Sequence, residues 1–397
     1  LTDFRTSSKR QGAQGFGNAA DGIEAPEGEK DMKPLARDGV EDLIPYPPGK
    51  PIEELERELG ITGSIKLASN ENPLGPSPRA LEAVREKAAT LNRYPDGSGY
   101  YLKSKLSEIY GIPPERIILG NGSNELIELT ARAFLRPGEE AVQAFPTFLV
   151  YEKIVKGAGG RMVSVPLSGF RIDLEGILEA VTPRTKIVFI CNPNNPTGDA
   201  LTSGEMGRFL ERVPDDVIVV LDEAYIEFTT DDSVADGLAL LSAHPLLFVL
   251  RTFSKLYGLA GLRIGYGFAG EKLVDYMNRV RQPFNANTLA QAGAMAALED
   301  TAFVSRTLEL VRDGLRYLFR ELDAMGLEYR PTQTNFFLIR VPSGAKKIYD
   351  LMLKEGVIIR AMDAYGLPDY IRITVGLPDE NERFIRTFRK VLGGITG

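Results

Sequence analysis

From Lys33 to about Pro283, short β-branched apolar runs alternate with stretches of helical spacing. Runs at 116–119, 141–145, 162–166, 187–191, 217–221, 246–251 and 264–268 predict strands. Several are apolar at nearly every position, the pattern of a sheet covered on both faces. Helical patterns at 124–134, 174–180 and 203–212 lie between them. Strands alternating with helices predict an α/β domain over 73–283, with a mostly parallel sheet flanked by helices. After Pro283 the rhythm changes. A long helical region to about Met325 precedes apolar runs at 335–341, 357–360 and 370–375 and a last helix. This predicts a smaller α+β domain formed by 284–397. The Pro-rich entry 44–51 and a helix at 52–59 are expected to join it, so that 32–72 adds its N-terminal arm. Residues 1–31 carry almost no periodic apolar positions. Such a segment buries too little to offset its ordering entropy, so a disordered leader is expected there.

Composition narrows the function. A net charge of −7 argues against a nucleic-acid surface, which needs a basic face. No window approaches the ~18 consecutive apolar residues of a membrane helix, and no signal-peptide pattern opens the chain. The lone cysteine, Cys191, cannot form an internal disulfide, which fits a cytoplasmic protein. The lone histidine, His244, excludes a metal site built on several imidazoles, and its place before Pro245 reads as an ordinary loop.

Four segments bear chemistry, each expected at the carboxyl end of a strand, where open α/β sheets bind ligands. In the first, an apolar strand leads to Thr252, Ser254 and Lys255, with Arg263 eight residues beyond the lysine. A lysine amine there can form a Schiff base with an aldehyde, while hydroxyls and a guanidinium hold a phosphate on the same ligand. In the second, Asn195 stands in an Asn-Asn-Pro-Thr-Gly turn. In the third, the strand 217–221 ends in Asp222, with Tyr225 three residues on. An acid so placed can pair with a ring nitrogen that must stay protonated, raising its pKa by about 1–3 units. Adjacent Glu223 faces the other way if the strand continues. In the fourth, Gly120-Asn121-Gly122-Ser123-Asn124 opens a helix whose N–H groups form an anion site. Its glycine spacing matches neither the Walker A nor the dinucleotide motif, so ATP and NAD fit poorly. Taken singly, each segment has a plain account: a surface lysine, a turn, an Asp opening a helix, a Ser N-cap. Together they supply a phosphate cradle, a ring-nitrogen acid, ring-oxygen donors and a Schiff-base lysine. Pyridoxal 5'-phosphate (PLP) needs that set.

The motifs resemble the fold-type I PLP aminotransferases, and within them the histidinol-phosphate aminotransferase branch. The likeness rests on Asn195-Pro196-Thr197-Gly198, Asp222-Glu223-Ala224-Tyr225, Thr252-Phe253-Ser254-Lys255 and Ala260-Gly261-Leu262-Arg263. Leu67-Ala68-Ser69-Asn70-Glu71-Asn72-Pro73 and Arg372-Ile373-Thr374-Val375-Gly376 add to it. The resemblance implies that Lys255 binds the cofactor covalently, Asp222 holds the pyridine nitrogen, and Asn195 and Tyr225 hold the ring oxygen. It implies that Gly122, Ser123, Asn124, Ser254 and Arg263 form the phosphate site, and that Phe148 stacks on the ring where many members carry tyrosine. Tyr94 would reach the phosphate of a partner subunit, so a homodimer with shared sites is implied. Arg372, with Arg360 and Tyr46 as further candidates, would bind the substrate's anionic group. The implied reaction is transamination between histidinol phosphate and 2-oxoglutarate in histidine biosynthesis. The alternatives are an aromatic amino-acid aminotransferase and a lyase resembling threonine-phosphate decarboxylase. A non-enzymatic protein of the same fold would be expected to lack the lysine or the aspartate, and both are present.

Overall fold

A computed structural model describes residues 35–36, 39–41, 43–45 and 49–396. The expected leader at 1–31 and Tyr46 lie outside the described residues. The seven runs read as strands form one sheet. Its order across the molecule is Ile117–Gly120, Gly265–Phe268, Leu247–Thr252, Ile218–Asp222, Thr185–Cys191, Glu140–Phe145 and Arg161–Pro166. Neighbours run parallel throughout, except that Gly265–Phe268 is antiparallel to both strands beside it.

The continuous apolar runs follow from this position. In the central strands every residue is buried, and alternate side chains enter different cores. Ile218, Val220, Phe248 and Leu250 face one way, toward Leu126, Ile127, Tyr151 and Met277 of the helices Ser123–Phe134, Val150–Gly157 and Glu271–Val280. Val219, Leu221, Leu247 and Val249 face the other way, toward Met206 and Phe209 of Ser203–Leu210. That last helix starts on a reciprocal cap, in which Thr202 accepts from the Glu205 amide and Glu205 accepts from Thr202.

Beyond residue 283 the expected long helical region is two helices, Thr288–Leu298 and Thr301–Ala324. The break falls at Asp300, whose carboxylate caps the second helix by accepting from the Phe303 amide. The second helix buries Phe303, Thr307, Val311, Gly314, Leu318 and Leu322, a single stripe at spacings of three and four. The apolar run at 357–360 also divides. Val357–Ile358 pairs in parallel with Ile65–Lys66, whereas Arg360–Ala361 joins an antiparallel sheet with Tyr370–Thr374 and Phe336–Arg340. Helix Ile52–Leu59 inserts Leu55 against Ala68 and Ile358. Among the described residues no helix is long and apolar enough to cross a membrane.

One close approach sets the position of the candidate anion site. Gly265, on the antiparallel strand, lies against the first turn of Ser123–Phe134. A Cβ there would sit 2.4 Å from the Ser123 amide nitrogen. Gly265→Ala should therefore push the helix end away from the sheet and cost about 1–3 kcal/mol in stability. A lower melting temperature together with weaker binding of an anion at this helix end is expected. Unchanged values for both would show that this contact is not needed.

Candidate active site

The carboxyl ends of the central strands open onto a cavity of about 380 Å³. Its walls include Ser123, Asn124, Phe148, Asn195, Asp222, Tyr225, Ser254, Lys255, Arg263, Arg360 and Arg372. Eleven residues singled out from the sequence are thus brought together from segments spread over 250 positions. Gly122 stands just behind them. Its φ is +76°, and a Cβ on it would meet the Arg263 guanidinium at 2.5 Å. Tyr94 is not in this cavity. It is 82% exposed and stacks on Phe284 at a ring separation of 4.7 Å.

Asp222 closes its strand on the same face as Val220, and there its buried carboxylate meets Tyr151. The Tyr151 hydroxyl donates to Oδ2 at 2.7 Å, and the Ala224 amide donates to Oδ1 at 3.1 Å. Burial raises the Asp222 pKa, while these two donors and the charge of Lys255 act against the rise. Glu223 points to the opposite side. It pairs with Arg251 at 2.8 Å and accepts from the Gly237 amide at 2.5 Å. Burial pushes its carboxyl up to about 7, with Arg251 pulling it down. Strand alternation therefore assigns the cavity to Asp222 and a buried ion pair to Glu223.

Lys255 follows the strand Leu247–Thr252. Its Nζ donates to the Ser69 carbonyl at 3.1 Å and lies 5.8 Å from the centre of the Tyr225 ring. Burial first, then the charge of Arg372, lowers the amine to about 8; Arg263 and Lys66 add to this, and Glu71 opposes it. Ser254 sits beside it, accepting from the Thr252 hydroxyl at 3.0 Å. Arg263 has a left-handed backbone, φ +58°, and donates to the Ala260 carbonyl at 3.1 Å. The helix Ser123–Phe134 begins after Gly122 with no side chain capping it, so Ser123 is the first helical residue and not the N-cap. Its free amide end faces the same corner as Ser254 and Arg263.

Arg372 is buried. It donates to Asn195 Oδ1 at 2.7 Å and to the Ala68 carbonyl at 2.8 Å, and among the described residues its Nε has no hydrogen-bond partner. Arg360 pairs with it across the antiparallel strands, so both side chains share one sheet face. The Tyr225 hydroxyl accepts from Asn70 Nδ2 at 2.9 Å and from Asn195 Nδ2 at 3.4 Å. Burial raises its pKa, with Arg372 and Asn70 acting in the other direction.

Two residues of this site escaped the sequence reading. Tyr151 lies three positions after Phe148 and reads as a core aromatic, which it also is, stacked on Phe189 at 4.8 Å. Asn70 belongs to a segment noted for its motif, yet nothing in the chain links it to a tyrosine 155 positions away. His244 is held within the fold, with Nδ1 accepting from the Leu246 amide and Nε2 3.3 Å from the Pro214 carbonyl.

The chain is similar to known proteins over most of its length. Histidinol-phosphate aminotransferase 2 of Carboxydothermus hydrogenoformans is 48% identical over 359 residues, 90% of this chain and 99% of that protein. The histidinol-phosphate aminotransferase of Moorella thermoacetica is 45% identical over 90% of this chain and 93% of its own length. A solved histidinol-phosphate aminotransferase from Sinorhizobium meliloti, in complex with pyridoxal-5'-phosphate, superposes with a TM-score of 0.84 at 28% identity. That likeness covers 92% of this chain and 99% of the other. The pattern described as Aminotransferase class I and II matches residues 62–388. The chain belongs to the aminotransferase class I and II family and is a pyridoxal phosphate-dependent transaminase.

Proposed function

We propose that this chain transfers the amino group of histidinol phosphate to 2-oxoglutarate. The observation that carries the substrate reading is the pair Arg360 and Arg372, opposed across two strands on the wall of the Lys255 cavity. Two guanidiniums suit a dianionic phosphate, and a single one serves the carboxylate of glutamate. The histidinol-phosphate aminotransferase relatives, matched over nine-tenths of the chain, support the same substrate.

The residues present fit the cofactor. The uncapped end of Ser123–Phe134, with Ser254 and Arg263 beside it, would hold the phosphate. Asp222 would hold the ring nitrogen, Asn195 and Tyr225 the ring oxygen, and Phe148 would lie along the ring. Lys255 would bind the aldehyde carbon. When bound, PLP supplies the carbonyl that takes up the amino group and a ring that draws electrons from the bonds at the donor's α-carbon.

The chain's own groups do the rest. The Asp222 carboxylate would hold a proton on the ring nitrogen, and the donors Tyr151 and the Ala224 amide oppose the rise in its pKa that burial causes. The Lys255 amine, lowered to about 8, is partly unprotonated near neutral pH. It would therefore take the proton from the donor's α-carbon and deliver it to the former aldehyde carbon on the far side of the shared nitrogen. Arg372, fixed by Asn195 and the Ala68 carbonyl, orients the anionic end of either substrate. A second copy of the chain would supply Tyr94, whose exposure on a loop next to Phe284 supports contact with a partner.

Three outcomes test this reading. First, borohydride reduction followed by mass spectrometry should find the cofactor on Lys255. Its uptake rate by the apoenzyme should rise with pH through a midpoint near 8, because only the unprotonated amine attacks. Label on a different lysine, or a midpoint in the range of an exposed lysine, contradicts the assignment. Second, kcat/KM should be higher for histidinol phosphate than for phenylalanine. Arg360→Ala should lower the histidinol phosphate value the more, by roughly ten- to a hundredfold for a lost charge-assisted hydrogen bond. Preference for phenylalanine would make the enzyme an aromatic aminotransferase, and release of CO2 would make it a lyase. Third, mixing inactive Lys255→Ala with an impaired Tyr94→Ala variant should restore part of the activity. No recovery, despite verified subunit exchange, would place Tyr94 outside the neighbour's site.

A further inference from the structure

We infer that Asn70 is a positioning residue that fixes the direction of the Tyr225 hydroxyl proton and turns it toward the cavity. A phenolic oxygen can donate one hydrogen bond and accept others. Here the accepting side is taken by two amide groups, Asn70 Nδ2 at 2.9 Å and Asn195 Nδ2 at 3.4 Å. Among the described residues no acceptor takes the Tyr225 proton. The hydroxyl is left to donate in the direction of the cavity it lines.

Neither amide is free to turn round. The Asn70 backbone N–H donates to Thr374 Oγ1 at 2.9 Å, which obliges that hydroxyl to send its own proton elsewhere. It donates to Asn70 Oδ1 at 3.2 Å, and this leaves Nδ2 for Tyr225. Asn195 is set in the same way, since its Oδ1 accepts from Arg372 Nη1, a group that can only donate. The backbone of Asn70 shows how strongly this geometry is held. Its φ is +55°, left-handed for a residue with a side chain, and it is 1% exposed. Thr374 and Asn335, whose Nδ2 donates to the Asn70 carbonyl at 3.2 Å, hold the segment in that conformation. The charged and titratable groups facing Tyr225 are Lys255, Arg372, Cys191 and Tyr365.

The inference rests on the reading of Tyr225 as a donor to the ring oxygen of PLP. Such a donor stabilises negative charge on that oxygen. Without it, the oxygen holds nearby protons more tightly, and the pH midpoint of the bound cofactor's visible absorption moves up. The experiment is a spectrophotometric pH titration of the loaded enzyme. It compares the wild type with Asn70→Gly, Asn70→Asp, Tyr225→Phe and the double variant Asn70→Gly/Tyr225→Phe. Glycine tolerates the positive φ, so that variant removes the donor without new backbone strain. Asn70→Gly should raise the midpoint by roughly half to one pH unit, the scale of one hydrogen bond. Asn70→Asp, which offers the hydroxyl an acceptor, should raise it at least as far. The double variant should match Tyr225→Phe alone, because Asn70 acts through that hydroxyl. An additive shift in the double variant overturns the inference. So does an Asn70→Gly enzyme that loses thermal stability but keeps the wild-type midpoint, the behaviour of a merely structural residue. If Tyr225→Phe itself leaves the midpoint unmoved, the role of Tyr225 falls first and the inference with it.

Discussion

The buried carboxylate of Asp222 is the constraint on which the site is built. A charge removed from water is costly unless donors or an opposite charge compensate it. At the end of the strand Ile218–Asp222 the compensation comes from Tyr151 and the Ala224 amide, with Lys255 opposing the rise of its pKa. The carboxylate draws these groups to one strand end. It also leaves an acid on the wall of a cavity where a protonated ring nitrogen can meet it. The flanking strands run parallel to its own, so their carboxyl ends deliver Asn195 and Lys255 to the same place.

The same strand separates two ionic systems by alternation. Asp222 faces the cavity, and one residue later Glu223 faces the other side, where Arg251 and the Gly237 amide hold it. Arg251 also reaches Asp236 at 2.8 Å. These pairs lie behind the sheet end and brace the turn that carries Ala224 and Tyr225. Removing one partner of such a buried pair typically costs about 3–5 kcal/mol, because the other charge is left uncompensated.

Arg372 and Asn195 link two of the sheets. Arg372 lies on the three-stranded antiparallel sheet and Asn195 follows a strand of the large sheet, and a 2.7 Å hydrogen bond connects them. The Arg372 guanidinium is thereby tied, through one amide, to the tyrosine beside the lysine. Arg372 is 5% exposed and its Nε is unpartnered among the described residues. A buried donor without an acceptor is expected where a ligand is to be received.

Much of this was legible in the chain because it is local. Strand and helix periods depend on neighbours in sequence, so the seven strands of the large sheet were readable to within about two residues, the usual uncertainty at element ends. The strand-end placement of Asn195, Asp222, Ser123 and Lys255 follows from the same patterns. The division at Asp300 and the splitting of 357–360 between two sheets were not readable. A cap depends on one side chain's geometry, and strand partners are chosen by distant segments. Residue identity and spacing alone determined that this is an α/β chain carrying a lysine, an acid and a helix N-terminus at its strand ends. Only the tertiary structure decided that Tyr151 answers Asp222 and that Asn70 answers Tyr225. Those bonds span 71 and 155 positions, and hydrogen-bond partners so far apart are selected by how the chain packs, not by any pattern along it.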